Sequence, residues 1–234
     1  MKAIMTGFTG LLFLLHFCPA QQKTLVLHLN GGLFIPQDHQ IQGMEYINYN
    51  DNGSPVSITA AGIGSGADLR FGITYFHNYY GIGLHAGVRP LENRKEDLAL
   101  APDGLHDRYE NRLILIPVTV NFMYAIQQIG SRVQPYLGVG LGIQVAHMEL
   151  KNYPENRTRN WVKGDEVSPG IQFMTGLSVS LSSNILVLFE CNYSYFSSDW
   201  EIENQDSGEM TKYIGLNTGG TSLSLGIAYR LDLR

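Results

Sequence analysis

Eight strand-like runs joined by connectors that alternate long and short constrain this chain more than any other feature. Run 25–35 leads through a polar stretch (36–60) to run 61–76, which turns at His77-Asn78-Tyr79 into run 80–89. A charged stretch (91–111) precedes run 112–126, a short turn (127–132) leads to run 133–148, and a third polar stretch (149–167) precedes run 168–181. Ser182-Ser183-Asn184 turns into run 185–197, an acidic stretch (198–219) follows, and run 220–231 closes the series. An even number of strands, with tight turns at one end and long connectors at the other, describes an all-β fold: an eight-stranded antiparallel up-and-down transmembrane β-barrel. The same rule places the short turns in the periplasm and the four long connectors outside the cell.

The first twenty residues are expected to be an address. Lys2 supplies a positive start, residues 8–17 an apolar core too short to span a bilayer, and Cys18-Pro19-Ala20 a small-residue cleavage site. Residues 1–20 therefore read as a signal peptide and 21–234 as one barrel domain; lipidation at Cys18 is disfavoured by the bulky Phe17 before it. Without Cys18, Cys191 stands alone, so no internal disulfide is expected, and no Cys/His spacing suggests a metal site. No later segment approaches eighteen uninterrupted apolar residues, which excludes helical spans but not strands. The net charge of -5 and the lack of a basic stripe argue against nucleic acid as a partner.

Successive strand side chains point to opposite faces, so each run separates into two sets. In the fifth run Val133, Pro135, Leu137, Val139, Leu141, Ile143 and Val145 form one face, and Gln134, Tyr136, Gly138, Gly140, Gly142, Gln144 and Ala146 the other. In the last, Leu223, Leu225, Ile227, Tyr229 and Leu231 oppose Ser222, Ser224, Gly226, Ala228 and Arg230. Collected over all runs, the less apolar face holds His28, Asn30, Asp68, Arg70, His85, Arg89, Asn121, Gln134, Gln144, Gln172, Glu190, Asn192 and Arg230, interleaved with glycines. Small residues and pairable charges suit the narrow interior of an eight-stranded barrel. A soluble barrel would put its apolar face inside. The aromatics are expected in two belts: Tyr75, Phe76, Tyr79, Tyr80, Tyr124 and Tyr229 at the short-turn end, and Phe34, Tyr109, Trp161, Tyr193, Tyr195, Phe196 and Trp200 at the other, around an aliphatic middle.

The stretch Arg112-Leu-Ile-Leu-Ile-Pro117-Val-Thr-Val, the segment Gln134-Pro135-Tyr136-Leu-Gly138-Val-Gly140-Leu-Gly142 and the terminal Ser222-Leu-Ser224-Leu-Gly226-Ile-Ala-Tyr229-Arg-Leu231 resemble the small outer-membrane β-barrel domain family. That family includes the PorT-like proteins of Bacteroidetes and is similar in architecture to the OmpA membrane domain, OmpX and OmpW. The resemblance implies the outer membrane of a Gram-negative bacterium, a monomer, and contact with outer-membrane lipid and lipopolysaccharide. It specifies a barrel rather than an activity. Ser224, Gly226, Tyr229 and Leu231 also match, in order, the pattern of a C-terminal signal read by the barrel-assembly machinery, although the chain runs on through Asp232-Leu233-Arg234 where the family commonly ends on an aromatic residue.

An enzymatic role finds little support in the residues. One lipid A deacylase family places a His two positions before a Ser, and here His28, His77, His85 and His147 are followed at that distance by Asn30, Tyr79, Gly87 and Glu149. His147 and Glu149 share a face but lack a nucleophile. Asp68, Arg70, His85, Arg89, Glu190 and Arg230 are expected to form an ionic network in the lumen, where an unpaired charge is costly, with Glu190 and Arg230 as the preferred pair. Exchange of partners there would gate a small water path; a static plug is the plainer reading. Among the long connectors, 91–111 is charged, Arg157, Arg159 and Trp161 mark a locally basic stretch, and Asp199, Glu201, Glu203, Asp206 and Glu209 an acidic one that matches no EF-hand. No cofactor is expected. The expected role is structural or surface-interactive, through the loops and with a possible protein partner. An accessory part in protein secretion, as in PorT-like proteins, is the alternative, and a lipid A-modifying enzyme a third, disfavoured one.

Overall fold

A computed structural model describes residues 23–37, 45–49, 55–59, 64–97, 107–127, 131–154, 160–204 and 210–233. Its strands are β1 (Lys23–Pro36), β2 (Glu45–Tyr49), β3 (Pro55–Thr59), β4 (Gly66–His77), β5 (Tyr80–Asp97), β6 (Asp107–Ala125), β7 (Val133–Pro154), β8 (Asn160–Ser180), β9 (Ile185–Asn204), β10 (Met210–Asn217) and β11 (Gly220–Leu233). From β4 to β9 each barrel strand pairs antiparallel with the next. Leu29 of β1 then faces both Phe71 of β4 and Ile227 of β11, while β11 pairs with β9, so the sheet closes on itself. β10 continues along β9 above β11 and occupies the same wall position, which makes eight walls. The first long connector carries a separate hairpin, β2 against β3.

The alternation in the sequence is the alternation of the wall. Leu137, Leu141, Ile143, Leu223, Leu225 and Ile227 stand outward and exposed, while Asn30, Asp68, Asn121, Gln144 and Asn192 are buried inside. A continuous apolar outer surface of this extent is what a bilayer covers. The tight turns need little: Asn78 takes a φ of 56° between β4 and β5, a left-handed conformation that Asn tolerates.

Two expectations about strand extent need correction. The stretches 91–111, 149–167 and 198–219 are largely strand, because β5, β7 and β9 run on to Asp97, Pro154 and Asn204 and their partners start early. Outside the bilayer neither face must be apolar, so the period-2 signal fades while ladder hydrogen bonding continues. The second run also starts later than expected, at Gly66.

The aromatic belts are narrower than expected. Phe34, Phe76 and Phe196 point into the lumen, at 0%, 7% and 0% exposure, because each shares the parity of the inward set on its strand. Phe71, Phe122, Phe173 and Phe189 stand outward among the aliphatics, so the middle is not purely aliphatic. Tyr79, Tyr80 and Tyr124 do cluster at the short-turn end, with ring centroids 6.4 Å (Tyr79 to Tyr124) and 5.4 Å (Tyr80 to Tyr124) apart. The side chains of Tyr109, Trp161 and Trp200 lie outside the described residues.

The lumen is also more apolar than expected. Val26, Phe76, Met123, Leu186 and Leu188 pack together in its short-turn half. Phe34, Leu91, Leu113, Leu115, Met148 and Phe196, all 1% exposed or less, fill the opposite end. The polar layer lies between these two tiers.

Candidate functional site

The polar layer is assembled by cross-strand register. Asp68 and Arg70, two apart on β4, face inward together, and Asp68 Oδ2 lies 2.9 Å from Arg70 Nε. Asp68 Oδ1 also accepts from Arg89 Nε of β5 at 3.0 Å, so one carboxylate serves two guanidinium groups. Arg70 Nη2 reaches across to Glu190 Oε2 of β9 at 3.5 Å and donates to Ser224 Oγ of β11 at 2.5 Å. Glu190 in turn accepts from the Tyr136 hydroxyl of β7 at 2.7 Å and from Asn30 Nδ2 of β1. Arg89 Nη1 donates to Ser194 Oγ at 3.3 Å, and its guanidinium carbon sits 4.4 Å from the centre of the Phe34 ring.

Two acids and two arginines thus balance in charge, with none of the four side chains more than 4% exposed. Arg70, Arg89 and Glu190 each add hydrogen bonds to neutral side chains, the support a buried pair needs, while Asp68 is held by the two arginines alone. The arrangement crosses the lumen from β4 and β5 to β9 and fills it with side chains.

Arg230 is not part of it. Its Nε and Nη2 donate to the Ser183 carbonyl at 3.0 and 2.5 Å, and its Nε lies 4.0 Å from Asp232 Oδ1, at the short-turn rim. The residue of β11 opposite Glu190 is Ser224, six positions earlier. Six residues of strand span about 20 Å. Adjacent strands therefore do not make Glu190 and Arg230 a pair, and Glu190 turns to Arg70 instead. His85 lies inside but outside the ionic set; its Nε2 is 3.2 Å from both His28 Nε2 and Thr74 Oγ1. Asn30, Tyr136, Ser194 and Ser224 were the missing partners. Their inward parity was visible in the sequence, but their partners depend on the level each reaches in the closed barrel.

At the rim, His147 bonds through Nδ1 to Asp165 on β8 rather than to Glu149. Glu149 Oε1 lies 3.0 Å from Lys151 Nζ and 3.8 Å from Lys163 Nζ. Arg112 Nε pairs with Glu92 Oε1 at 3.1 Å across β5 and β6. Of the terminal motif, Ser224 holds Arg70, Gly226 faces Asn30, and Tyr229 and Leu231 point outward. Residues 1–20, with Cys18, lie outside the described residues, as do the side chains of Arg157, Arg159, Asp199, Glu201, Glu203, Asp206 and Glu209.

A closed eight-walled sheet, apolar outside and polar within, leaves one reading. The fold is that of a small outer-membrane β-barrel. It is similar to the solved structure of OprG from Pseudomonas aeruginosa, with a TM-score of 0.60 and 16% identity over 91% of this chain and 98% of that one. Neisserial surface protein A matches with a TM-score of 0.50 and 16% identity over 88% and 96% of the two chains. A major outer membrane protein from Thermus thermophilus matches with a TM-score of 0.51 and 12% identity over 89% and 99%. No family model and no curated protein matches the sequence. At these identities the likeness is one of architecture. An outer-membrane location follows from that architecture together with the exposed apolar band.

Proposed function

We propose that this chain is a non-enzymatic surface scaffold: a monomeric, side-chain-filled barrel that carries paired β-hairpins clear of the outer membrane for contact with a partner. The observation that carries this reading is strand length. β6, β7, β8 and β9 run for 19, 22, 21 and 20 residues, about twice the roughly 9–11 that a tilted strand needs to cross the hydrocarbon. The β6 and β7 ladder stays in register from Ala125 opposite Tyr136 out to Asp107 opposite Pro154. Such walls carry the strand ends at Asp97, Asp107, Pro154 and Asn160 beyond the hydrocarbon, and recognition on a rigid frame is usual there. The filled lumen supports a role outside the barrel rather than through it.

Photo-crosslinkers placed in 98–106 and 155–159 on intact cells test the reading. Specific adducts there, absent from crosslinkers placed in the turn 182–184, are the expected result. Changed lipid A mass on deletion of the gene would replace this reading with an enzymatic one, and retained secretion cargo would replace it with the accessory role.

A further inference from the structure

We propose that His28 and His85, completed by the Met123 thioether, bind a single copper(I) ion inside the barrel, on the periplasmic side of the ionic layer. The inference is independent of the scaffold reading. It starts from register: His28 of β1 is directly opposite Gly72 of β4, and Gly72 is directly opposite His85 of β5. The two imidazoles therefore flank a residue without a side chain on a shared inward face. A Cβ on Gly72 would collide with the His28 ring and stand 2.8 Å from His85 Cδ2, and one on Gly83 would stand 2.9 Å from His85 Nε2. Glycine at both positions leaves open the space the rings converge on.

The two Nε2 atoms are 3.2 Å apart, with ring centroids at 4.5 Å and planes at 77°. Bonds of about 2.0–2.1 Å from both nitrogens to one ion would meet at about 100–106°, close to tetrahedral. Thr74 Oγ1 approaches the same His85 Nε2 at 3.2 Å and lies 3.8 Å from Met123 Sδ. One ring nitrogen has a single proton or a single lone pair to offer, yet two polar atoms converge on it. A hydrogen bond between the two Nε2 atoms joins the rings, and a metal ion would take the place of its proton. Met123 Sδ accepts from Thr74 Oγ1 beside His85 and lines the same cavity as His28, which makes it the third donor assigned to the site.

That donor set selects the ion. Thioether sulfur favours soft copper(I), and methionine's three rotatable bonds let it close on a site. The neighbouring ionic layer is already neutral, and an added single charge is less costly to bury there than a double one. A cavity of about 40 Å³ whose lining includes His28, Thr74, Met123, Glu190, Gln134 and Ser178 adjoins His28. Gln134 and Ser178, both buried, face each other one residue in from the short-turn end of β7, where Ser178 Oγ donates to Gln134 Oε1 at 3.4 Å. The histidines lie 57 residues apart, so no sequence spacing betrays them.

The test uses untagged, full-length barrel refolded in detergent, titrated with copper(I) under reducing conditions against a chromogenic chelator, with zinc(II) as a parallel arm. One copper(I) per barrel is expected, with X-ray absorption reporting two imidazole nitrogens and one sulfur. His85→Gln raises the dissociation constant by about 100-fold or more, beyond the cost of losing an outer-shell partner. Met123→Leu removes the sulfur signal while retaining weaker binding, and each variant is read only where its heat-modified gel mobility shows a folded barrel. His147→Gln, at the rim, leaves the titration unchanged. No binding by folded wild-type protein, binding of zinc(II) in preference to copper(I), or equal binding by a folded His28→Gln/His85→Gln double variant would each overturn the proposal.

Discussion

Arg70 on β4 reaches Glu190 on β9 across the lumen, with Nη2 3.5 Å from Oε2 and both side chains buried. The contact joins opposite parts of the wall, and its loss strands charge on both sides. Arg70→Met is expected to destabilise the barrel by about 3–5 kcal/mol, the usual cost of breaking one partner out of a buried network. Arg230→Ala removes hydrogen bonds to one rim carbonyl, at about 1–2 kcal/mol. Urea titrations in the same micelle measure both, and an Arg230 variant costing as much as the Arg70 variant would overturn this division.

Leu141 stands 61% exposed near the middle of the apolar outer stretch of β7, which runs from Val133 to Val145, while Val133 begins that strand. Arginine at position 141 is expected to cost about 2–4 kcal/mol in a bilayer, and arginine at 133 about 0–1 kcal/mol. Equal costs at the two depths, measured by folding into liposomes, would contradict a membrane around this face.

Phe34 packs beneath Arg89 and, together with Phe196 and Leu113, closes the end of the lumen away from the tight turns. Phe34→Ala should lower stability by about 3–5 kcal/mol through the cavity it leaves. Planar-bilayer recordings should show wild-type protein silent. A steady open channel in the wild type would refute the plug.

Gly226 and Tyr229 share the terminal motif but not a face. A Cβ at 226 would meet Asn30 Oδ1 and stand 2.6 Å from the Leu29 carbonyl, so Gly226→Val is expected to impair folding in vitro by overpacking worth about 1–3 kcal/mol or more. Tyr229 faces outward. Tyr229→Ala should refold normally from urea yet accumulate poorly in cells if the motif addresses the assembly machinery. Normal accumulation in cells would remove that role.

Parity and turn placement were legible along the chain because they are local. Alternation sets which face each side chain takes, and short polar linkers such as Ser182-Ser183-Asn184 mark hairpins, so the closed barrel and its lipid face could be read directly. Phe34, Phe76 and Phe196 were expected in the aromatic belts and lie inward instead, since parity outweighs aromatic character in setting a side chain's face. The ladders beyond the bilayer left no trace, since a strand in water on both faces has no apolar period.

What the amino-acid sequence determined by itself is the face of each residue and the order of the walls. What only the closed structure decided is height. Strand register sets the level of each inward side chain, and that is why Glu190 meets Arg70, 120 positions away in sequence, rather than Arg230 on the adjacent β11. It is also why His28 and His85 meet over Gly72. Such pairings belong to the tertiary structure because they exist only once the first and last strands have met.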